Sequence, residues 1–228
     1  MSAEETEEGT EIGAEAGPPR GGPGEPPPRA DLLDTPLGHE LGQLARCLLG
    51  AHGATGEAVL DTIAATPRDR LEAIAATVAA CRRREPVVPD RPAAGGTLGS
   101  RTAAEVAVAN HQLPQRQREA LALRELMRLR HRQIGVVIAL EPSAVAALLA
   151  RARIALHAHL RGFSVVSGAG CAGADRALGL LARRQDAEAL VQTEVEWLMA
   201  HLADCRVCER AHGAMLEASI RYRIALRP

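Results

Sequence analysis

His201, Cys205 and Cys208 recur at i, i+4 and i+7 near the end of this 228-residue chain. Donors at that spacing share one helical face, so they converge without contortion of the backbone. A tetrahedral zinc ion requires four ligands and prefers thiolate and imidazole. Cys171, thirty residues before His201 in a Gly-rich turn, is the natural fourth. His212 is a spare candidate that reads as a surface histidine, and Cys47 and Cys81 lie in apolar stripes, as small core residues do. The competing arrangement is a helical hairpin with free thiols. Hydrolytic metal chemistry is not expected. A Cys3His set closes the shell, whereas a catalytic zinc keeps an open position beside a base, and the chain has no H-E-x-x-H motif.

A second chemistry lies in the charge distribution. The formal net charge is only −1, but residues 1–30 hold seven Glu and two Arg, whereas residues 113–161 hold nine Arg against Glu119, Glu125 and Glu141. A basic module beside an acidic tail suits a nucleic-acid binder, and a solvated helix surface gives the same count. Every basic residue among the 27 is Arg and none is Lys, which reflects coding bias rather than site chemistry.

The elements that must position these groups are helical. Phe163, Trp197 and Tyr222 are the only aromatics, and the chain is rich in Ala and Leu, so the fold class is all-α, small helical bundles joined by linkers. Residues 1–34 form a Glu-, Gly- and Pro-rich tail expected to be disordered. Residues 35–85 hold three short helices: Leu37, Leu41, Leu44, Leu48 and Leu49 mark the first, and Thr66 with Pro67 is read as opening the third. Residues 86–110 form a linker with a lead-in helix over 101–110, residues 111–162 the basic module, and residues 163–228 the helices that carry the Cys/His set.

Within the basic module, Pro114 starts a first helix, residues 131–139 make a short second, and Leu140–Ser143 is the turn. Ser143 is read as capping a third helix that runs to about 160. A short helix, a tight turn and a longer Arg-bearing helix is the geometry that seats a helix in the DNA major groove, and periodicity alone also fits any three-helix bundle. The residue order resembles region 4 of the sigma-70 superfamily, particularly its extracytoplasmic-function type. Leu113, Pro114, Arg116, Arg118, Glu119, Leu121, Leu123, Arg124, Ile134, Ser143, Val145, Leu149, Arg151, Ala152, Arg153 and Leu156 are the residues that carry this likeness. It implies promoter DNA and the RNA polymerase core as partners, with Arg132, Ser143, Ala146, Ala147, Arg151 and Arg153 as the DNA-facing positions. Two family glycines are replaced by Arg128 and Ala139, and the family's Lys-Ser pair by Ala146-Ala147. Alanine can touch a thymine methyl but donates no hydrogen bond to a base. Arg151 and Arg153 are left to meet phosphates or the protein's own acids.

Leu48-Leu49-Gly50, the acidic stretch with Glu57 and Asp61, and Arg82-Arg83-Arg84 resemble the plan of region 2 of the same superfamily. That likeness makes Glu57 and Asp61 the polymerase-facing candidates; an ordinary three-helix bundle fits equally. The family's base-capturing aromatics are missing, so strand opening by this chain alone is not expected. The order Cys171, His201, Cys205, Cys208 resembles the zinc-binding anti-sigma domain, which implies Zn2+ as cofactor and a regulatory role. The expected function is a transcription regulator and not an enzyme. The alternative is an anti-sigma-like interaction protein that binds another sigma or anti-sigma protein without contacting DNA. No apolar run approaches the ~18 residues of a membrane span, and the acidic N-terminus lacks a signal-peptide pattern, so no membrane association and a cytoplasmic location are expected.

Overall fold

A computed structural model of the chain describes residues 34–50, 54–88, 98–162 and 171–226. The acidic tail and the stretch 163–170 lie outside the described residues. Ten α-helices and no strand are found among those described, as the all-α expectation requires. They are α1 (Pro36–Leu49), α2 (Ala54–Ala64), α3 (Arg70–Arg82), α4 (Leu98–His111), α5 (Gln115–Glu125), α6 (His131–Ile138), α7 (Pro142–Arg161), α8 (Ala174–Gln185), α9 (Gln192–Asp204) and α10 (Arg206–Ala225). No single helix among them is long and apolar enough to cross a membrane.

Local chemistry sets the helix starts. Thr35 caps α1 by accepting the Gly38 N–H at 3.0 Å, with Pro36 in the first turn, where a missing N–H costs nothing. The third helix does not open at Thr66. Asp69 caps it by accepting the Glu72 N–H at 2.8 Å, and Glu72 reaches back to the Arg68 N–H at 2.7 Å. A carboxylate three residues ahead of a Glu makes this reciprocal pair, whereas Thr66 sits in the left-handed region at φ 47° just past α2.

Leu41, Leu44 and Leu48 of α1 pack with Ile74 and Val78 of α3, Leu121 and Leu123 of α5, and Leu149 of α7 in one core. The helix α4 fills much of the stretch read as linker, and it buries Val106 and Ala109 in the same core. The final helix α10 joins it too. Its Tyr222 is fully buried, with its hydroxyl 2.7 Å from the Cys47 thiol and 3.4 Å from Asn110 Oδ1. Burial pushes the Cys47 thiol up to about 11 and that of Cys81 to about 12, so both are inert core residues.

A second core lies against the other side of α7. Ala146 and Ala150 meet Ala177, Leu178 and Leu181 of α8, with Leu198, Cys208 and Met215 behind them. Small residues on both helices allow this close approach. Helices α8 and α10 therefore lie directly on the helix-turn-helix, and α9 packs on them.

Candidate metal centre and helix-turn-helix surface

The four predicted ligands come together. Cys171 stands in the turn before α8, His201 in the last turn of α9, Cys205 at the α9–α10 junction and Cys208 in the first turn of α10. The three later ligands do not share one continuous helix, as the i, i+4, i+7 spacing suggests. Cys205 is extended, at φ −114° and ψ 92°, and it both ends α9 and begins α10. The sharp corner this makes turns the two thiols toward His201.

All four ligand atoms lie within 4.8 Å of one another. Cys171 Sγ is 3.5 Å from His201 Nε2 and 3.9 Å from Cys208 Sγ. Metal–sulfur and metal–nitrogen bonds of about 2.3 and 2.05 Å at tetrahedral angles set donors roughly 3.6 to 3.8 Å apart. A disulfide would require about 2.05 Å. The arrangement is that of donors around a tetrahedral metal ion, and the residues fit one.

The electrostatics agree. The backbone N–H of Cys208 at the start of α10, the largest influence on Cys205, holds its thiol below the ordinary range. Burial, then the neighbouring sulfurs, pushes Cys208 up to about 12. Sulfurs this close cannot all ionise without a cation, which a divalent metal supplies. The imidazole is held in place as well: His201 stacks on Trp197 with ring centroids 5.0 Å apart, and the Arg176 guanidinium lies 4.1 Å from the Trp197 ring centre on α9. Gly173 lets the turn pass the ring; a Cβ there would lie 3.1 Å from His201 Cε1. His212 is half-buried and stays outside the ligand group.

The helix-turn-helix is α5, α6 and α7, with α6 and α7 bent by 93°, within the range of DNA-binding modules. Gly135 is indispensable to the turn, because a Cβ there would run into the Leu140 carbonyl oxygen. Pro142 opens α7 and Glu141 is its cap position, so Ser143 lies inside the first turn and does not cap it. Proline in the first turn displaces the start by two residues. Arg128 and Ala139 adopt left-handed conformations at φ 58° and 54°, the two places where the resembling family has glycine.

Residues 105–156 match the Sigma-70, region 4 family model. Over this stretch, which includes the helix-turn-helix, the chain is similar to sigma-70 region 4. No curated protein and no solved structure matched.

On this helix-turn-helix, Arg132, Ser143 and Arg151 are exposed and Ala147 is half-buried. Two expected DNA-facing residues are not on the surface. Ala146 is 1% exposed beneath α8, and Arg153 is 1% exposed inside the protein. Of the two roles left open for Arg153, acids of the protein itself are its partners. It donates to Glu125 Oε1 of α5 at 2.7 Å and to Asp186 Oδ1, just past α8, at 2.6 Å. Asp186 also takes Arg124 Nε at 2.9 Å and His131 Nε2 at 2.8 Å. Burial alone would raise the Asp186 pKa. Hydrogen bonds from His131 and Arg153, with the charges of Arg153 and Arg124, outweigh it and hold the carboxyl well below its usual range. Ser219 and Gln185 extend the network to α10.

Asp186 and Gly173 carry no spacing signal, and Glu125 enters the sequence only as a charge; the fold alone brings Asp186 and Glu125 to Arg153 and Gly173 to His201. Glu57 and Asp61 lie exposed on α2, with Asp61 2.9 Å from Arg84. The Arg84 hydrogen bond holds Asp61 below its ordinary range.

Proposed function

We propose that this protein is a sigma-factor-like transcription regulator. The helix-turn-helix of residues 115–161 engages promoter DNA and RNA polymerase, and the α8–α10 segment binds zinc and regulates that engagement in cis. The single observation that carries this reading is the family match over residues 105–156 on a segment with helix-turn-helix geometry. The Cys3His donor set supports zinc, since three thiols and an imidazole are the ligands zinc favours in closed structural sites. Regulation in cis is supported by α8, which covers Ala146 and Ala150 on the helix that would enter the groove.

In this reading Arg132 and Arg151 meet phosphates and Ala147 lies toward the bases, which favours affinity over base selection. Glu57 and Asp61 are offered to the polymerase by α2. The full chain is tested by titration with promoter-length duplex at several salt concentrations, by polymerase pulldown, and by zinc content on the same sample. DNA affinity that falls steeply with salt, together with polymerase recovery and one zinc per chain, is the expected result.

A second reading is favoured by the burial of Ala146 and Arg153. In it the protein sequesters another transcription factor and leaves DNA alone. Recovery of polymerase or a sigma factor, with no DNA retained at low salt, would establish that reading instead.

A further inference from the structure

Three arginines line one small cavity where α1 and α3 meet α5, and two of them are matched. Arg82 donates through Nε and Nη2 to the two oxygens of Glu119, at 2.8 and 2.6 Å. Arg84 donates to the Ala80 carbonyl at 2.8 Å and to Asp61 at 2.9 Å. Arg118 is the exception. It is 7% exposed, and its one hydrogen bond runs from Nη1 to the His111 carbonyl at 3.2 Å. Its buried Nε has no partner, and no carboxylate among the described residues pairs with it.

A guanidinium keeps its charge when it leaves water, and burial without an anion beside it is costly. The cavity wall supplies no such anion. Glu119 is taken by Arg82, the Cys81 thiol is pushed up to about 12 by burial and stays neutral, and Leu48 is apolar. Volume then selects the ligand. The cavity holds about 50 Å³. One water fills about 10–15 Å³ on that measure, so about three or four non-hydrogen atoms fit. A phosphate, with five such atoms, is too large. Formate and acetate have the right size, carry the single charge that Arg118 lacks, and offer two oxygens to the guanidinium fork.

We propose that this cavity is a binding site for a one- or two-carbon carboxylate, seated on Arg118 between the α1–α3 pair and α5. The bound acid completes the seam that joins the N-terminal helices to the first helix of the helix-turn-helix. The stability of that seam then depends on small carboxylates in solution. The site is separate from the DNA-facing surface and from the metal corner, and it does not rest on the DNA-binding reading.

Thermal melts of the full chain test this as formate or acetate replaces the bulky sulfonate MES at constant ionic strength and pH, with inorganic phosphate as a third arm. Formate and acetate should raise the melting temperature by about 3–5 °C for each tenfold rise in concentration above Kd. Phosphate should leave it unchanged, and Arg118→Gln should abolish the dependence. That variant can lose stability for its own reasons, so a second measurement is made on the wild type. Burial, and then the Arg118 charge, push His111 down to about 4. Formate on Arg118 should move the His111 imidazole titration upward in NMR spectra, and phosphate should not. The proposal is overturned if the wild type shows no carboxylate dependence in either measurement, if the dependence survives in R118Q, or if phosphate stabilises as well as formate. Asp90 lies four residues beyond Pro86 of the cavity wall in the sequence. If formate acts on Asp90→Asn but not on the wild type, the chain's own side chain fills the cavity and the proposal falls.

Discussion

Two regions fasten the last three helices, and they are built on opposite principles. The metal corner gathers Cys171, His201, Cys205 and Cys208, mostly half-buried, at the meeting of two helix ends and a turn. The Asp186 latch is a dry network in which Arg153 sits between Glu125 and Asp186, all at or below 3% exposure. A metal site of this kind answers to solution chemistry, since its affinity depends on free metal and on thiol ionisation. A buried ion network answers to nothing short of opening the core. The contrast assigns them separate roles: the corner can be released while the latch holds.

The largest effect is expected at the latch. Asp186→Ala leaves Arg153 buried with one carboxylate instead of two and strips a partner from His131 and Arg124. Removal of one member of such a network costs about 3–5 kcal/mol, or roughly 10 °C in melting temperature for a chain of this size. A loss under about 1 kcal/mol in chemical denaturation would show that the latch is solvated and would erase the contrast with the corner.

Metal removal is next. Binding of zinc to the folded state at free concentrations of about 100 times Kd stabilises it by about 2.7 kcal/mol. Chelation should lower the melting temperature accordingly and leave the Asp186 network in place. Hydrogen exchange should then rise in α9 and the first turns of α10 but not in α7. Equal loss of protection in α7 would mean that the two fastenings act as one. The corner can also be weakened more finely: Gly173→Ala sets a methyl 3.1 Å from the His201 ring. Displaced ligand support typically costs 10- to 100-fold in metal affinity, and competition with a chromophoric chelator measures it.

Stability against pH should show two separate windows. His111 is pushed down to about 4 by burial and by Arg118, so the folded state favours its neutral form. Its contribution is complete above the ordinary value of about 6.5 and is lost as pH falls from there toward 4. The Asp186 carboxyl is lowered instead from about 3.9 in the unfolded chain. Its contribution is present above that value and is lost only as pH falls further, through the folded pKa. Urea midpoints across the acid range should therefore flatten in the upper window for His111→Gln and in the lower for Asp186→Asn. If the assignments are exchanged, the account of the latch is wrong.

How much of this was legible from residues alone divides along the same line. The ligand set announced itself because metal chemistry fixes both residue type and spacing, and the helix-turn-helix because its scaffold positions recur in order. What spacing could not give was the break at Cys205, since an unbroken helix and a helical corner satisfy the same intervals. The latch was illegible for a deeper reason. Asp186, Glu125 and Arg153 are 28 to 61 positions apart in sequence, and only the packing of α8 against Ala146 and Ala150 joins them. Arg153 is the sharpest case. The same residue suits a phosphate contact or an internal ion pair, and burial alone decides between them.

The smallest expected effect lies at the turn between α6 and α7, away from both fastenings. Ala139 is left-handed at φ 54°, and its side chain is exposed with no packing to lose. An L-residue there gives up about 1 kcal/mol that glycine does not. Glycine in turn costs more entropy on folding, roughly 0.4–1 kcal/mol. Ala139→Gly should therefore be neutral or stabilising by up to about 0.5 kcal/mol, a rise of 1–2 °C at most. Ala139→Val should destabilise, because a β-branched residue tolerates positive φ least. This pair tests the backbone and leaves the acids and the metal ligands untouched. If Ala139→Gly lowers DNA affinity without lowering stability, the strained turn is setting the angle between α6 and α7, and the alanine that replaces the family's glycine has a role in binding.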